Sequence, residues 1–221
     1  MLNKDLQDKE YILFRDFLEQ QCGIVLGENK QYLVKSRLAP LMQRFGVASL
    51  SELVTKTLSP FERQLRSAVI DAMTTNETLW FRDTYPYELL KKQIFPEMEK
   101  TCRNVKIWSA ASSSGQEPYS IAMALLDAGF KPHQFKVDGM DVSPLSVEKA
   151  RRALYGKNSF RGQDLDFRER HFTAEQEGHR VNDDVREQVR LQVGNVLDPT
   201  LLASEPAFDF VFCRNLLIYF D

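Results

Sequence analysis

The chain has few of the residues on which metal, disulfide and triad chemistry depends. Its 221 residues include three cysteines and three histidines. Cys22, Cys102 and Cys213 are scattered, without the spacing of a metal site or of a disulfide framework. The histidines are equally dispersed, at His133, His171 and His179. We therefore expect reduced cysteines that pack in the interior, no metal, and a cytoplasmic location.

Long apolar runs and a charge imbalance are also missing. No run of about 18 apolar residues occurs, so no membrane-spanning helix is expected. The first residues, Met1–Asp5, lack the apolar core of a signal peptide. The net charge of −2 gives no broad basic surface, so nucleic acid is not an expected partner.

Residues 1–75 carry only helical patterns, which predict an N-terminal helical bundle. Pro40 interrupts one apolar stripe and predicts a kink or a break there. The string Ser59–Glu62 has a capping serine, a first-turn proline and a capping-box glutamate, so it predicts a helix start. The core face of that helix is expected to carry Phe61, Leu65, Val69 and Met73.

Beyond a connecting segment at 76–104, in which a helix is expected from Tyr87 to Met98, the pattern alternates. The expected elements are a strand at 105–109, a helix at 117–128, a strand at 136–142 and a helix at 144–155. Such alternation predicts a parallel sheet with crossover helices in the domain at 105–221. The stretch Ala207–Cys213 is apolar on both faces, which predicts a central strand.

The most informative segment is the end of the first strand. Val105–Trp108 is followed by small residues up to Gly115, and a helix pattern opens with Glu117 and Pro118. A strand, a tight loop and a helix start form the nucleotide-binding corner of an α/β sheet. Because the G-x-G-x-x-G glycines are absent and Glu117 lies where a pyrophosphate would bind, NAD is disfavoured. A cofactor with a nucleoside and a positive charge fits better.

An acid also ends the next expected strand. Asp141 follows an apolar run and precedes a helix start near Pro144. An acid at this position of a βαβ unit commonly binds ribose hydroxyls. The alternative is that Asp141 caps the following helix.

At this point the chain resembles a known family over nearly its whole length. The matching strings are Asn76–Asp83, the loop Ser114–Ser120, Asp141, Gly194–Leu197 and Cys213–Asp221. They are similar to those of CheR, the chemotaxis receptor glutamate O-methyltransferases that use S-adenosylmethionine. The chain departs from the usual family pattern at Ala111 and Ser112, where Gly-Cys is common, and at Gln116, where Glu is common.

The resemblance implies an α/β fold: a Rossmann-like class I methyltransferase domain, the helical bundle, and a small antiparallel β-subdomain at about 156–192. It also implies that the methyltransferase domain continues beyond Asp221. The implied reaction moves a methyl group from S-adenosylmethionine to glutamates in the cytoplasmic helical region of chemoreceptors, giving S-adenosylhomocysteine. The alternatives are a methyltransferase of another substrate and a non-catalytic module that binds S-adenosylmethionine.

The resemblance also implies residue roles around the methionine part of the cofactor. Asn76, Thr78 and Arg82 would contact it, and Arg82 would pair with its carboxylate and contribute to catalysis. Glu117 would face its positive charge. Alternatively, Arg82 forms a surface pair with Asp83, and Asn76 is a turn residue.

Further roles are implied for the two later strings. Asn195 and Val196 would hold the adenine, Asn215 and Leu216 would line the floor near the sulfonium, and Tyr219 would orient the incoming carboxylate. Packing at a strand end is the alternative for Tyr219, and a turn role is the alternative for Asn195.

Two segments bear on the receptor. The stretch Asn29–Ser51 contains no acid, and its basic residues are Lys30, Lys35, Arg37 and Arg44. We expect these to dock an acidic helix, although a solvated helix surface is the alternative. Some family members also bind a receptor C-terminal pentapeptide through a longer, glycine-containing loop. The segment Thr173–Glu177 here is short and lacks glycine, so independence from that peptide is expected.

Overall fold

The computed structural model describes residues 6–74, 78–100, 104–161, 165–203, 205 and 207–220, without the side chains of Glu99 and Tyr219. The chain forms two compact units. The first comprises Met1–Thr75, Val142–Leu145 and Asn215–Asp221. The second comprises Asn76–Asp141 and Ser146–Arg214. In the described residues, no helix is both long and apolar enough to cross a lipid bilayer.

The N-terminal part of the first unit is a helical bundle, as the sequence predicts. Its helices are α1 (Asp8–Cys22), α2 (Gln31–Arg44), α3 (Leu50–Leu58) and α4 (Arg63–Met73). Their apolar faces meet in one core, in which the fully buried side chains include Phe14, Leu18, Leu38, Leu53 and Val69. Within each helix the buried positions recur three or four residues apart, as Val34, Leu38 and Leu41 do in α2, so burial of one stripe per helix accounts for the bundle.

Two local expectations in this bundle differ from the structure: the break at Pro40 and the helix start at Ser59–Glu62. Helix α2 continues through Pro40 without a break. Pro40 has no N–H to donate to the Ser36 carbonyl, and both residues lie on the exposed side of the helix. Helix α4 begins at Arg63, because Ser59 forms a turn in which its hydroxyl accepts from the Phe61 N–H at 3.4 Å. Phe61 is therefore 91% exposed.

The remaining core positions of that stripe, Leu65, Val69 and Met73, are buried as expected.

The connecting helix is also present, although it begins earlier than predicted and has a π-helical middle. Its parts are α5 (Tyr85–Leu89), a π-helical segment Leu90–Ile94 and α6 (Phe95–Glu99).

The later elements follow in chain order. They are β1 (Val105–Ser109), α7 (Gln116–Asp127), β2 (Phe135–Asp141), α8 (Pro144–Arg152), β3 (Leu154–Tyr155), α9 (Asp166–His171), β4 (Phe172–Glu175), β5 (Gly178–Val181), α10 (Asp183–Arg186), β6 (Val189–Val193) and β7 (Phe210–Phe212). Short 3₁₀ turns lie at Pro132–Gln134, Lys157–Phe160 and Leu217–Tyr219.

Within the described part of the chain, the main sheet is parallel and has the strand order β6-β2-β1-β7. In sequence order this is third, second, first, fourth, which is the order of a Rossmann-like half-sheet. The order reverses between β1 and β7. Ligands of such sheets bind at the carboxyl ends of the strands near that reversal.

The small antiparallel sheet has the order β3-β5-β4. It begins at Leu154, and β6 pairs with β2 of the main sheet, so the strand at Val189–Val193 does not belong to the subdomain at 156–192. Most of the Thr173–Glu177 segment is strand β4 rather than a loop. Strand β7 covers only Phe210–Phe212 and lies at an edge of the described sheet, which differs from the central strand expected at Ala207–Cys213.

Candidate active site

The loop after β1 is tightly folded at the carboxyl ends of β1 and β2. The Ser112 N–H donates to the Met140 carbonyl at 2.8 Å, and the Gly115 N–H donates to the Ser112 carbonyl at 2.9 Å. Ser113 has a φ of 46°, a left-handed conformation that non-glycine residues adopt only with support from their surroundings. We name residues 110–115 the cofactor loop.

Asp141 supplies part of that support. Its Oδ2 accepts the Ser113 N–H at 2.8 Å, and the residue is 8% exposed. The carboxylate therefore faces the cofactor loop from the end of β2. An acid in this place can accept hydrogen bonds from ribose hydroxyls, which is the role expected of Asp141.

Glu117 lies in the first turn of α7, where its Oε1 accepts the Ser109 hydroxyl at 2.7 Å. Burial raises the pKa of the Glu117 carboxyl, whereas the Ser109 hydrogen bond and the charges of Arg214 and Arg82 lower it. Burial is the largest of these effects, so the ionised carboxylate is under-solvated. A cation bound against Glu117 would replace the solvation that folding removes.

Sequence reasoning missed Arg214. Its guanidinium donates to the Arg82 carbonyl at 2.8 Å and forms an ion pair with the Asp83 carboxylate. The Arg214 side chain is only 17% exposed. Asp83 thus pairs with Arg214, the residue before Asn215 in the matched string, which is the signal that could have drawn attention to it.

The segment that Arg214 holds has a strained backbone. Phe81, Asp83 and Thr84 have φ values of 46°, 59° and 26°. The Phe81 N–H donates to the Ser120 hydroxyl at 3.0 Å, which ties this segment to α7. Such conformations persist only where neighbouring groups fix them. Arg82 is therefore presented by a fixed turn and is partly buried.

The loop after β6 lies beside Asp141. The Gly194 N–H donates to the Asp141 carbonyl at 3.0 Å, so Asn195 and Val196 follow directly at this sheet edge. The Asn195 side-chain oxygen accepts the Leu197 N–H at 3.0 Å, so the turn role of Asn195 is present. Val196 is partly buried.

The other predicted residues near the cofactor have these positions. Thr78 is partly buried ahead of Trp80, and Asn76 lies outside the described residues. Asn215, Leu216 and Tyr219 fall in the first compact unit. Asn215 has a φ of 55° and Leu216 is partly buried. The Tyr219 side chain is outside the part of the chain that the structure describes.

The basic residues of the second helix differ in their surroundings. Lys30, Lys35 and Arg44 are exposed, and Lys30 and Arg44 lie over the rings of Tyr32 and Phe45. Arg37 is partly buried, and its guanidinium donates to the Met73 carbonyl. Arg37 therefore joins α2 to the end of α4, in addition to any contact with a partner.

The donor set at the cofactor loop fits S-adenosylmethionine. Glu117 offers a buried carboxylate to a cation, and Asp141 offers a carboxylate to a ribose. The Ser112 hydroxyl, at the base of the loop, is buried and has no hydrogen-bond partner among the described residues. A separate cleft of about 500 Å³ is lined by none of the predicted site residues. In that cleft Arg151 donates to the Leu191 carbonyl and Arg186 pairs with Asp183.

Family models match both parts of the chain. The model described as "CheR methyltransferase, all-alpha domain" matches residues 9–74. The model described as "CheR methyltransferase, SAM binding domain" matches residues 76–221. Together with the sheet order and the loop, these matches define an S-adenosylmethionine-dependent methyltransferase. The chain belongs to the CheR methyltransferase family.

The relatives agree with this assignment. A chemotaxis protein methyltransferase of Vibrio parahaemolyticus is 46% identical over 98% of this chain and 80% of its own length. Chemotaxis protein methyltransferase 1 of Pseudomonas aeruginosa is 45% identical over 96% of this chain and 80% of its own. A probable biofilm formation methyltransferase, WspC, of Pseudomonas putida is 42% identical over 94% of this chain and 49% of its own.

Proposed function

We propose that this enzyme transfers the methyl group of S-adenosylmethionine to glutamate side chains in the cytoplasmic helical region of chemoreceptors, in chemotaxis-type signalling. The observation that carries the proposal is similarity to chemotaxis protein methyltransferases across both the helical bundle and the methyltransferase domain. A methyltransferase of another substrate could share the sheet alone, because fold does not determine substrate.

The chemistry suits the residues at the site. A glutamate carboxylate has a pKa of about 4.3, so it is already a nucleophile at neutral pH and needs no general base. S-adenosylmethionine supplies an activated methyl group. The task of the protein is to align the attacking oxygen and to remove its water. In this proposal Arg82 pairs with the cofactor carboxylate and Tyr219 orients the glutamate.

The cofactor contacts are proposed to extend along the sheet edge. Asp141 binds the ribose, and Asn195 and Val196 hold the adenine from the loop beside it. The contact between Gly194 and the end of β2 supports this placement. Thr78 and Asn76 contact the methionine end, and Asn215 and Leu216 line the sulfonium side.

The receptor is proposed to dock on the basic residues of α2. Lys30 immediately precedes α2, and Arg37 and Arg44 follow at intervals of about two helical turns, so the three residues share one side, whereas Lys35 lies towards another side. Lys30 and Arg44 are exposed on that shared side. A helix rich in glutamate would be attracted to these charges.

Independence from a receptor C-terminal pentapeptide is also proposed. Strands β4 and β5 are joined by a two-residue turn at Gln176–Glu177 that contains no glycine. The hairpin therefore lacks the longer, glycine-containing loop that would position a strand edge for pairing with the peptide. Arg180 neutralises Glu175 by an ion pair. Glu177 is also paired, because its carboxylate lies 3.9 Å from the Arg152 guanidinium, so the proposal depends on the short turn rather than on charge repulsion.

The function is tested by the chemistry of the product. Receptor-containing membranes are incubated with the enzyme and S-adenosylmethionine labelled in the methyl group, and the label is then treated with mild base. A glutamate ester releases labelled methanol. A base-stable label would indicate nitrogen methylation and contradict the proposal, and cofactor binding without any transfer would indicate a non-catalytic module.

A further inference from the structure

Tyr155 joins the small antiparallel sheet to the cofactor loop. It lies in β3, is 4% exposed, and its hydroxyl donates to the Ser114 carbonyl at 2.7 Å. Ser114 follows the strained Ser113, whose N–H is bonded to Asp141. Tyr155 and Asp141 therefore bond to neighbouring residues of the cofactor loop, Tyr155 to the Ser114 carbonyl and Asp141 to the Ser113 N–H.

The Tyr155 hydroxyl packs closely against the backbone of the cofactor loop at Gly115. A Cβ at Gly115 would come within 2.9 Å of the Tyr155 hydroxyl oxygen and within 2.8 Å of the Ala150 Cβ. Gly115 also has a φ of 95°, which only glycine adopts readily. Glycine at 115 is thus what allows the Tyr155 hydroxyl to approach the backbone of the loop so closely.

Tyr155 also contacts the other segment of the site. Its ring meets the Trp80 ring edge-on, with ring centroids 4.7 Å apart. Trp80 lies between Thr78 and Arg82 in the sequence, and its side chain is fully buried. Its ring packs against Phe160 and Phe172 of the antiparallel subdomain. Tyr155 and Trp80 together connect the core of that subdomain to the cofactor loop and to the segment that carries Thr78 and Arg82.

We propose that Tyr155 is a positioning residue that holds the cofactor loop in its binding conformation through the hydrogen bond to Ser114. Tyr155 does not touch the reacting atoms in this proposal. Its hydroxyl reduces the conformations that the loop visits before S-adenosylmethionine binds, and this pre-organisation raises the affinity. The proposal rests on the placement of the cofactor at this loop.

The test compares two buried tyrosines whose hydroxyls donate hydrogen bonds to different backbone carbonyls. Tyr155→Phe removes the bond to the cofactor loop and keeps the ring packing with Trp80. Tyr119→Phe is the matched control, because the Tyr119 hydroxyl is also buried and donates to a backbone carbonyl, that of Ala150, at 2.9 Å. Both variants lose one tyrosine hydroxyl and no ring.

Calorimetric titration with S-adenosylhomocysteine gives the decisive measurement. Tyr155→Phe is expected to weaken binding about fivefold to tenfold, the effect of one hydrogen bond. Tyr119→Phe is expected to bind within about twofold of the wild type, and both variants are expected to lower the thermal midpoint by about 2–4 °C. In turnover assays, Tyr155→Phe raises the KM for S-adenosylmethionine and leaves kcat unchanged.

Hydrogen exchange provides a second measurement in the absence of S-adenosylhomocysteine. The amides of Ser113 and Gly115 are expected to exchange faster in Tyr155→Phe than in Tyr119→Phe. Wild-type affinity in Tyr155→Phe, or equal weakening in both variants, would overturn the proposal. Asp141→Ala tests the cofactor placement separately: if that variant binds normally, the placement fails, whatever Tyr155→Phe shows.

Discussion

Replacement of Glu117 by glutamine tests whether this side chain contributes to cofactor binding rather than to the stability of the fold. Glu117→Gln keeps the shape of the side chain and can keep the Ser109 hydrogen bond, but it removes the negative charge. A hydrogen bond to a charged group contributes about 1.5–3 kcal/mol, so the affinity for S-adenosylmethionine should fall about 10-fold to 150-fold. Calorimetric titration at neutral pH measures this directly.

The same substitution should not weaken the unliganded protein. Burial raises the pKa of Glu117 above its unfolded value. The group therefore stabilises the fold below its unfolded pKa, and this contribution is lost as the pH rises through the folded pKa. Above both pKa values the buried carboxylate charge opposes folding, so Glu117→Gln should leave the free energy of unfolding unchanged or raise it there. Denaturant unfolding in the absence of S-adenosylmethionine is the measurement.

The pH dependence of binding gives the refutation. A bound cation favours ionised Glu117, so the affinity of the wild type should fall as the pH is lowered through the raised pKa of the unliganded enzyme. Glu117→Gln should lack this dependence. Equal affinity of wild type and variant for S-adenosylmethionine, with the fold intact, would show that Glu117 does not face the cation, and the reasoning from its burial would be wrong.

Four further outcomes are expected. Asp141→Ala should weaken S-adenosylhomocysteine binding at least about tenfold by calorimetry, and unchanged affinity would remove Asp141 from the site. Lys30→Glu combined with Arg44→Glu should raise the receptor KM without altering cofactor affinity, and Lys9→Glu on α1 is the control. The effect should shrink at high salt, since exposed charges are screened beyond about 8 Å at physiological ionic strength, and a salt-independent effect would contradict docking. Arg214→Lys should weaken S-adenosylmethionine binding, because a lysine cannot bridge the Arg82 carbonyl and the Asp83 carboxylate, and normal binding would contradict this support. Titration with a receptor C-terminal pentapeptide should show no binding, and micromolar binding would contradict independence.

The sequence predicts the fold where local patterns agree with tertiary packing. Strand β1 covers the expected range 105–109, and the following helix and strand differ from their expected bounds by about one residue. The predictions fail where one side chain outweighs a pattern. Ser59 forms a turn through its hydroxyl, which moves the helix start and exposes Phe61. Pro40 is tolerated within α2 on the exposed side of the helix.

The sheet assignments show a different limit. Val189–Val193 has the same β-like pattern as the pieces around it, and only its pairing with β2 places it in the main sheet. Pairing between distant strands leaves no local signal in one sequence. The same holds for Arg214, whose partners Arg82 and Asp83 lie far away in the chain.

The site contains strained backbone segments, and these require hydrogen bonds from residues that are distant in the sequence. Ser113, Phe81 and Asp83 each occupy left-handed backbone, at a cost of about 1–3 kcal/mol apiece. Each strained segment is held by groups from elsewhere in the chain: the cofactor loop by Asp141 and Tyr155, and the turn at 81–84 by Ser120 and Arg214. Because the supports are separate hydrogen bonds, loss of one should loosen its own segment while the apolar core remains folded. Cofactor affinity should therefore be more sensitive than global stability to substitutions at these supporting residues.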